Sequence, residues 1–391
     1  MRQSIYDNIQ RAAPPPGSGR KRRAKKNSGK GKKRSTRVLA VCVSVFVALS
    51  ILYAVVVYSS IPFVSYWRTI WIETAMTTRT HQWLAQWFFP KSVIDKVMAG
   101  ATIDKDIQGG ADNLKNNEDN SPGTQTKPTR LENNDILKQK SLNVGDTDYA
   151  GNTVVINDID EGLVVSEIVT ATYRGKIMLI DDPSRVYVGM TQYPGVTGMR
   201  ILNMMETYNA VAGMNGSGFA DPYENGNGGE VVGMSCSQGN YWGSYVDYYG
   251  SIVLTTENKL VVGDIQDWES YSNVRDGVQF SPVLVADGQK MVSGSAGYGL
   301  QPRTAIGQRE DGVIVFLDID GRDVSWSIGC TVDDMAEILI SYGVVNAASV
   351  DGGASSVIAY KGEVITKNCS ANPTLGRILP NAFLVKHKAD S

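Results

Sequence analysis

The sequence predicts an α+β fold: a mixed β-sheet domain with few helices, preceded by a single N-terminal transmembrane helix. Three observations carry this. An uncharged run, Val38–Tyr58, stands directly behind a strongly basic tail. From about residue 149, short β-branched runs alternate with Gly, Asn and Asp turns. In that region only two stretches, Thr197–Tyr208 and Thr331–Tyr342, read as helices. Many strands with few helices are the pattern of α+β domains.

The elements follow in order. Residues 1–37 hold 13 Lys or Arg and one acid, Asp7, a charge of +12. The rest of the chain carries 25 bases and 39 acids, so the overall charge of -2 describes neither part. The tail is rich in Gly, Pro and Ser and is expected to be a disordered cytoplasmic segment. The 21 uncharged residues after it match the roughly 20 that a helix needs to cross a bilayer. Ile61, Pro62, Phe63, Tyr66 and Trp67 follow, where a cleaved signal would have small residues. Residues 38–60 therefore read as an uncleaved signal anchor. Positive charge stays inside, which predicts a single-pass plasma-membrane protein with its C-terminal domain extracellular. The tail is assigned to topology and anionic-lipid contact, with no nucleic-acid partner.

Residues 61–99 read as an aromatic, membrane-proximal helical segment that lies on the outer leaflet, forms a stalk or packs on the domain. Residues 100–148 are polar and read as a flexible linker. Residues 149–388 form the globular domain. Its predicted strands include Val154–Ile156, Lys176–Ile180, Arg185–Val188, Ser251–Leu254, Lys259–Val262, Val313–Asp318 and Ser356–Tyr360. Thr331 is the expected N-cap of the second helix and Gly343 its stop.

Two absences narrow the chemistry. The only histidines are His81, in the membrane-proximal stretch, and His387, near the C-terminus. That argues against Ser-His-Asp, Cys-His or His-rich metal chemistry in the domain and leaves carboxylates for acid–base work. The four cysteines show no zinc spacing. A Cys330–Cys369 disulfide and unpaired thiols both remain open.

Four clusters are unusual for purely structural segments. Asn215-Gly216-Ser217-Gly218-Phe219 is a tight turn after a strand. Pro302-Arg303-Thr304-Ala305-Ile306-Gly307 places an arginine on a small-residue strand, suited to phosphate or carboxylate. In Ile314–Arg322, strand alternation puts Asp318 and Asp320 on the apolar face of Ile314 and Phe316. In Ala347–Ser356 a strand ends in Asp351-Gly352-Gly353, where paired glycines permit close approach of a ligand. Arg377 and Asn381 follow before the last strand.

These clusters, in this order, resemble the phosphodiester glycosidase family, best known for uncovering enzymes that remove N-acetylglucosamine from a phosphodiester. The matching segments are Asn215–Phe219, Pro302–Gly307, Asp320–Arg322, Asn346–Ser356 and Arg377 with Pro380–Ala382. They span roughly residues 150–388. Ser217-Gly218-Phe219 stands where Gly-Phe-Phe is commoner, and Ala354 where Gly or Ser is usual. The resemblance implies a hydrolase of a sugar-1-phosphodiester, set here in a cell-surface glycopolymer or exopolysaccharide. It implies catalytic roles for Asp351, Asp320 and Arg303. Asn215, Gly216, Arg322, Gly352, Gly353, Ser355, Arg377 and Asn381 are implied to bind substrate, with Arg303 and Arg377 on the phosphate. No cofactor is required. The Asp-rich loops leave room for calcium, although none has an EF-hand pattern. The alternative is a non-catalytic glycan-binding or polymer-assembly factor on the same fold.

Overall fold

The structure is a computed structural model, which describes residues 30–78, 81–100, 107–116, 142–222 and 226–390. Most of the basic tail and of the predicted linker lies outside these residues. Two compact units divide the chain, residues 1–59 and 60–391. The first contains helix α1, Lys30–Tyr58, whose segment Arg37–Tyr58 is long and apolar enough to cross a membrane.

The second unit is α+β, built on three antiparallel sheets. An eight-stranded sheet runs in the order 289–290, 283–286, 344–350, 303–309, 314–319, 174–180, 163–169 and 153–158. A five-stranded sheet runs 363–364, 358–360, 210–215, 381–386 and 186–190. A six-stranded sheet runs 108–109, 260–263, 250–255, 274–280, 235–237 and 240–242. Strand alternation decides which face is buried where. Ile314 and Phe316 point into a core shared by all three sheets, with Phe383 and Met214 from the second and Ile252 and Leu254 from the third. Val315, Leu317 and Ile319 point the other way, under a helix.

Helices α2 (Pro62–Met76), α3 (Trp83–Gln86) and α4 (Lys91–Ala99) precede the sheets. Helix α5, Ile201–Thr207, packs Ile201, Met204 and Met205 on the outer face of the five-stranded sheet. Helix α6, Val332–Ser341, covers the eight-stranded sheet with Val332, Met335, Ala336 and Leu339. Its start is a capping box: the Thr331 hydroxyl accepts from the Asp334 amide at 3.1 Å, and the Asp334 carboxylate accepts from the Thr331 amide at 2.8 Å.

The domain recruits more of the chain than residues 149–388. Gln108-Gly109 forms an edge strand against Val262-Gly263, inside the stretch expected to be linker. Helix α2 docks on the loop before Arg303. Glu73 accepts from the Ser295 hydroxyl, and Thr74 Oγ1 accepts from the Leu300 amide at 2.9 Å. All four cysteines are free thiols.

Candidate active site

The sheet order gathers the sequence motifs. Strand 303–309 lies between 344–350 and 314–319, and strand 210–215 lies between 358–360 and 381–386. The turn after Asn215, the start of Arg303–Arg309, the end of Val344–Val350 and the Gly376–Ile378 segment all border one cavity of about 1650 Å³. Arg303, Arg322, Asp351, Gly352, Gly353, Ser355 and Arg377 line it.

Asp351 is held most firmly. Its carbonyl accepts from Asn215 Nδ2 at 2.5 Å and from the Thr304 hydroxyl at 2.6 Å. Its amide donates to the Gly216 carbonyl at 3.0 Å. Burial pushes its carboxyl up to about 6, against the pull of the Ser355 hydroxyl, Arg377 and the Gly352 amide. Gly352 allows this packing, since a Cβ there would sit 2.9 Å from the Pro302 carbonyl. The Gly353 amide donates to that same carbonyl at 2.8 Å, so it is already used.

Arg377 faces Asp351 from the closing segment. Its Nη1 donates to Asp221 Oδ2 at 2.8 Å, and its guanidinium lies 4.7 Å from the Phe219 ring centroid. Asp221 also opposes ionisation of Asp351. Arg322 is exposed, in the left-handed region at φ 62, and donates Nε and Nη2 to Gln301 Oε1 at 3.1 and 2.9 Å.

The other residues singled out from the sequence lie at the edge of this surface or behind it. Asn215 is fully buried; besides holding Asp351 it accepts from the Val357 amide at 3.0 Å. Asn381, also fully buried, accepts from the Ser217 amide at 2.8 Å and donates to the Ser217 and Ser235 hydroxyls at 2.9 and 3.0 Å. A Cβ on Gly216 would lie 2.3 Å from Asn381 Oδ1. Arg303 borders the cavity, but its guanidinium donates to the carbonyls of Cys330, Tyr298 and Gly299 at 2.9, 3.1 and 2.8 Å. Asp320 is not among the cavity-lining residues; it accepts from Trp326 Nε1 at 2.7 Å and the Lys367 amide at 2.8 Å. Its strand neighbour Asp318 is buried with Oδ2 unpaired, and burial beside Asp320 raises its carboxyl well above the usual range.

Three contributions were not read from the sequence. Asp221, two residues past Phe219, carries no glycine or repeat that flags it. Gln301 stands just outside the Pro302–Gly307 motif, and nothing in its own residue type flags it. Trp67, Trp71, Thr74 and His81 line the cavity from residues 61–99, whose aromatics read equally well in the sequence as interfacial anchors. His81 therefore sits at the site although it lies outside the predicted domain. Among the described residues no group of His, Cys, Asp and Glu could hold a metal ion.

Residues 208–386 match the model of the phosphodiester glycosidase family. The SPbeta prophage-derived uncharacterized protein YomE of Bacillus subtilis is 30% identical over 196 residues, which are 47% of this chain. The chain spans only 29% of that relative's length. Among solved structures, the zebrafish N-acetylglucosamine-1-phosphodiester alpha-N-acetylglucosaminidase catalytic domain, auto-inhibited by its pro-peptide, is similar at 18% identity. Its TM-score is 0.46, with 58% of this chain and 82% of that chain covered. A putative exported protein of Burkholderia pseudomallei is similar at 14% identity and a TM-score of 0.39, covering 55% and 74% of the two chains.

Proposed function

Because this chain carries a phosphodiester glycosidase domain, matched over residues 208–386, we propose that it is a membrane-anchored hydrolase of a sugar-1-phosphodiester. The sugar is of the N-acetylglucosamine type, and the diester is met at the cell surface. The observation that carries this reading is the Asp351 carboxyl, pinned through its backbone on the wall of a cavity that also holds Arg322 and Arg377.

The chemistry follows from the parts. The phosphate monoester is a good leaving group, so the bond from the anomeric carbon to phosphate oxygen needs little acid assistance. It needs an anchor for the anion and electron density at the anomeric carbon. Arg377, oriented by Asp221 and Phe219, and Arg322, oriented by Gln301, supply the anchor. Ionised Asp351 supplies the electron density, either directly or through a water that it deprotonates. The anomeric carbon–oxygen bond breaks, its electron pair leaves with the phosphate, and water supplies the new hydroxyl. Arg303 acts on the wall: its bonds to three carbonyls fix the loop that presents Gln301. Asp320 acts behind the site, holding Trp326 and the Lys367 backbone.

In this reading α1 is the anchor, the basic tail is cytoplasmic and the domain is extracellular. The test uses the whole chain in detergent micelles and the methyl phosphodiester of N-acetylglucosamine-1-phosphate. Wild type should release free sugar. Asp351→Asn should lower kcat on the order of 10³-fold, and Arg377→Ala on the order of 10²-fold. Glycan binding without turnover across a panel of such diesters would point to a binding module instead.

A further inference from the structure

We propose that the alcohol half of this diester is a membrane-resident lipid: a sugar-1-phosphate esterified to a long-chain alcohol. The inference rests on the glycosidase reading and names the side of the substrate which that reading leaves open.

One wall of the cavity comes from the segment nearest the candidate span. Only Ser59, Ser60 and Ile61 separate α1 from α2 in the sequence. Trp67, Ile70 and Trp71 of α2 and Leu84 of α3 line the cavity that also holds Asp351 and Arg377. Trp67 and Trp71 are 44% and 43% exposed, an unusual state for side chains of that size in a docked helix. Among the described residues, none that this segment gives to the cavity is Asp, Glu, Lys or Arg. A polymer chain of hydroxylated sugars asks for hydrogen-bonding groups along its path. The Thr74, Thr77 and Thr78 hydroxyls of this segment are spent on protein partners, so beside His81 it offers a ligand chiefly the indole and aliphatic carbon of Trp67, Ile70, Trp71 and Leu84, which suits hydrocarbon. The cavity, at about 1650 Å³, exceeds the roughly 300–1,000 Å³ typical of small-ligand pockets.

The wall is built into the site. Gln301 Oε1 accepts from Arg322, while its Nε2 donates to the Thr74 carbonyl at 3.1 Å and to Thr77 Oγ1 at 3.1 Å. Gly299 makes the close approach: it sits at φ 60, and a Cβ there would lie 2.3 Å from the Thr74 nitrogen. Arg322 and helix α2 therefore share one side chain, Gln301, and both border the same cavity. Hydrolysis would transfer the hydroxyl of water to the anomeric carbon. The lipid phosphate monoester leaves with the bond's electron pair, and the proton passes to Asp351 and then to solvent.

The experiment compares the farnesyl and methyl phosphodiesters of N-acetylglucosamine-1-phosphate, with the full chain in the same nonionic micelles. Wild type should show kcat/KM at least tenfold higher for the farnesyl ester. Trp67→Ala should cut the farnesyl-to-methyl ratio at least threefold. Trp71→Ala should do the same; because Trp71 packs on Phe88 and Phe89, Trp67 is the variant that keeps the fold out of question. Because micelles, detergent and esters are common to all, a change of ratio reports the wall and not partitioning. Equal kcat/KM for the two esters, or a ratio indifferent to Trp67→Ala, overturns the lipid assignment and leaves the aromatics as bilayer contacts. Hydrolysis of neither ester by folded protein removes the glycosidase reading, and this inference with it.

Discussion

Asp351 ties the stability of the domain to its activity. In the proposed mechanism the reactive form is the carboxylate, and burial has pushed its pKa up to about 6. The rate should therefore fall as pH drops through about 6, close to tenfold per unit below it, in a pH profile of kcat/KM. Stability runs the other way. A raised carboxyl pKa means the folded state holds a proton that the unfolded state releases, so stability is lost as pH rises from about 4 to about 6. Asp351→Asn should thus unfold at a higher temperature than wild type at pH 8 while turning over far more slowly. Allowing for partial solvent screening, the gain is on the order of 1 kcal/mol. Asn381→Ala should do the reverse. It strands the buried Ser217 amide and two buried hydroxyls and should cost about 2–3 kcal/mol in a denaturant titration. The residue types of the site were legible because glycines and charged groups at strand ends stand out against apolar runs. Their division of labour was not. Asn215 and Asn381 look in sequence like ligands for a sugar, and only their complete burial shows that their bonds are spent on the backbone and on serines. Which carboxylate neighbours Asp351 is a matter of packing: Asp221 comes close through Arg377, whereas Asp320 turns to Trp326.

Among the elements, α6 was readable to its ends, because the cap, the acids of the first turn and Gly343 are all local signals. Thr331→Ala should lower stability by about 1 kcal/mol, measured as a shift of the denaturation midpoint. Helix α5 is shorter than its periodicity suggested, beginning at Ile201 instead of Thr197. Thr197 is instead drawn into a bridge with Tyr193, and Gly198 is packed on the Leu379 carbonyl. The edge strand Gln108-Gly109 had no pattern to read, since two residues carry no period. Helix α2 showed its helicity but not its partner: an aromatic face serves a bilayer or a protein cleft equally well. Gly299→Ala tests that docking. The added methyl has no room beside Thr74, so hydrogen exchange of residues 62–76 should accelerate, while the buried strand Ala210–Asn215 keeps its protection.

At the scale of the molecule, three sheets share one core, so the motifs converge although they are separated by as many as 166 residues, from Asn215 to Asn381. The α+β class and the order of motifs were open to a reader of the sequence because each strand announces itself locally. The pairing of non-consecutive strands, such as 303–309 beside 344–350, was not, because register is decided by packing. The domain also begins earlier than composition suggests. A chain cut to residues 145–391 loses α2 and the Gln108-Gly109 edge, exposing the Gly299–Gln301 loop and strand 260–263. It should melt several degrees below residues 60–391 in calorimetry.

In the proposed reaction the bond to the anomeric carbon breaks and the phosphorus–oxygen bonds survive. Hydrolysis of a sugar-1-phosphodiester in ¹⁸O-labelled water reads this directly by mass spectrometry of both products. Label in the sugar, with none in the phosphate monoester and turnover by Asp351→Asn lowered on the order of 10³-fold, is the predicted result. Label in the phosphate would contradict it and make the chain a phosphodiesterase.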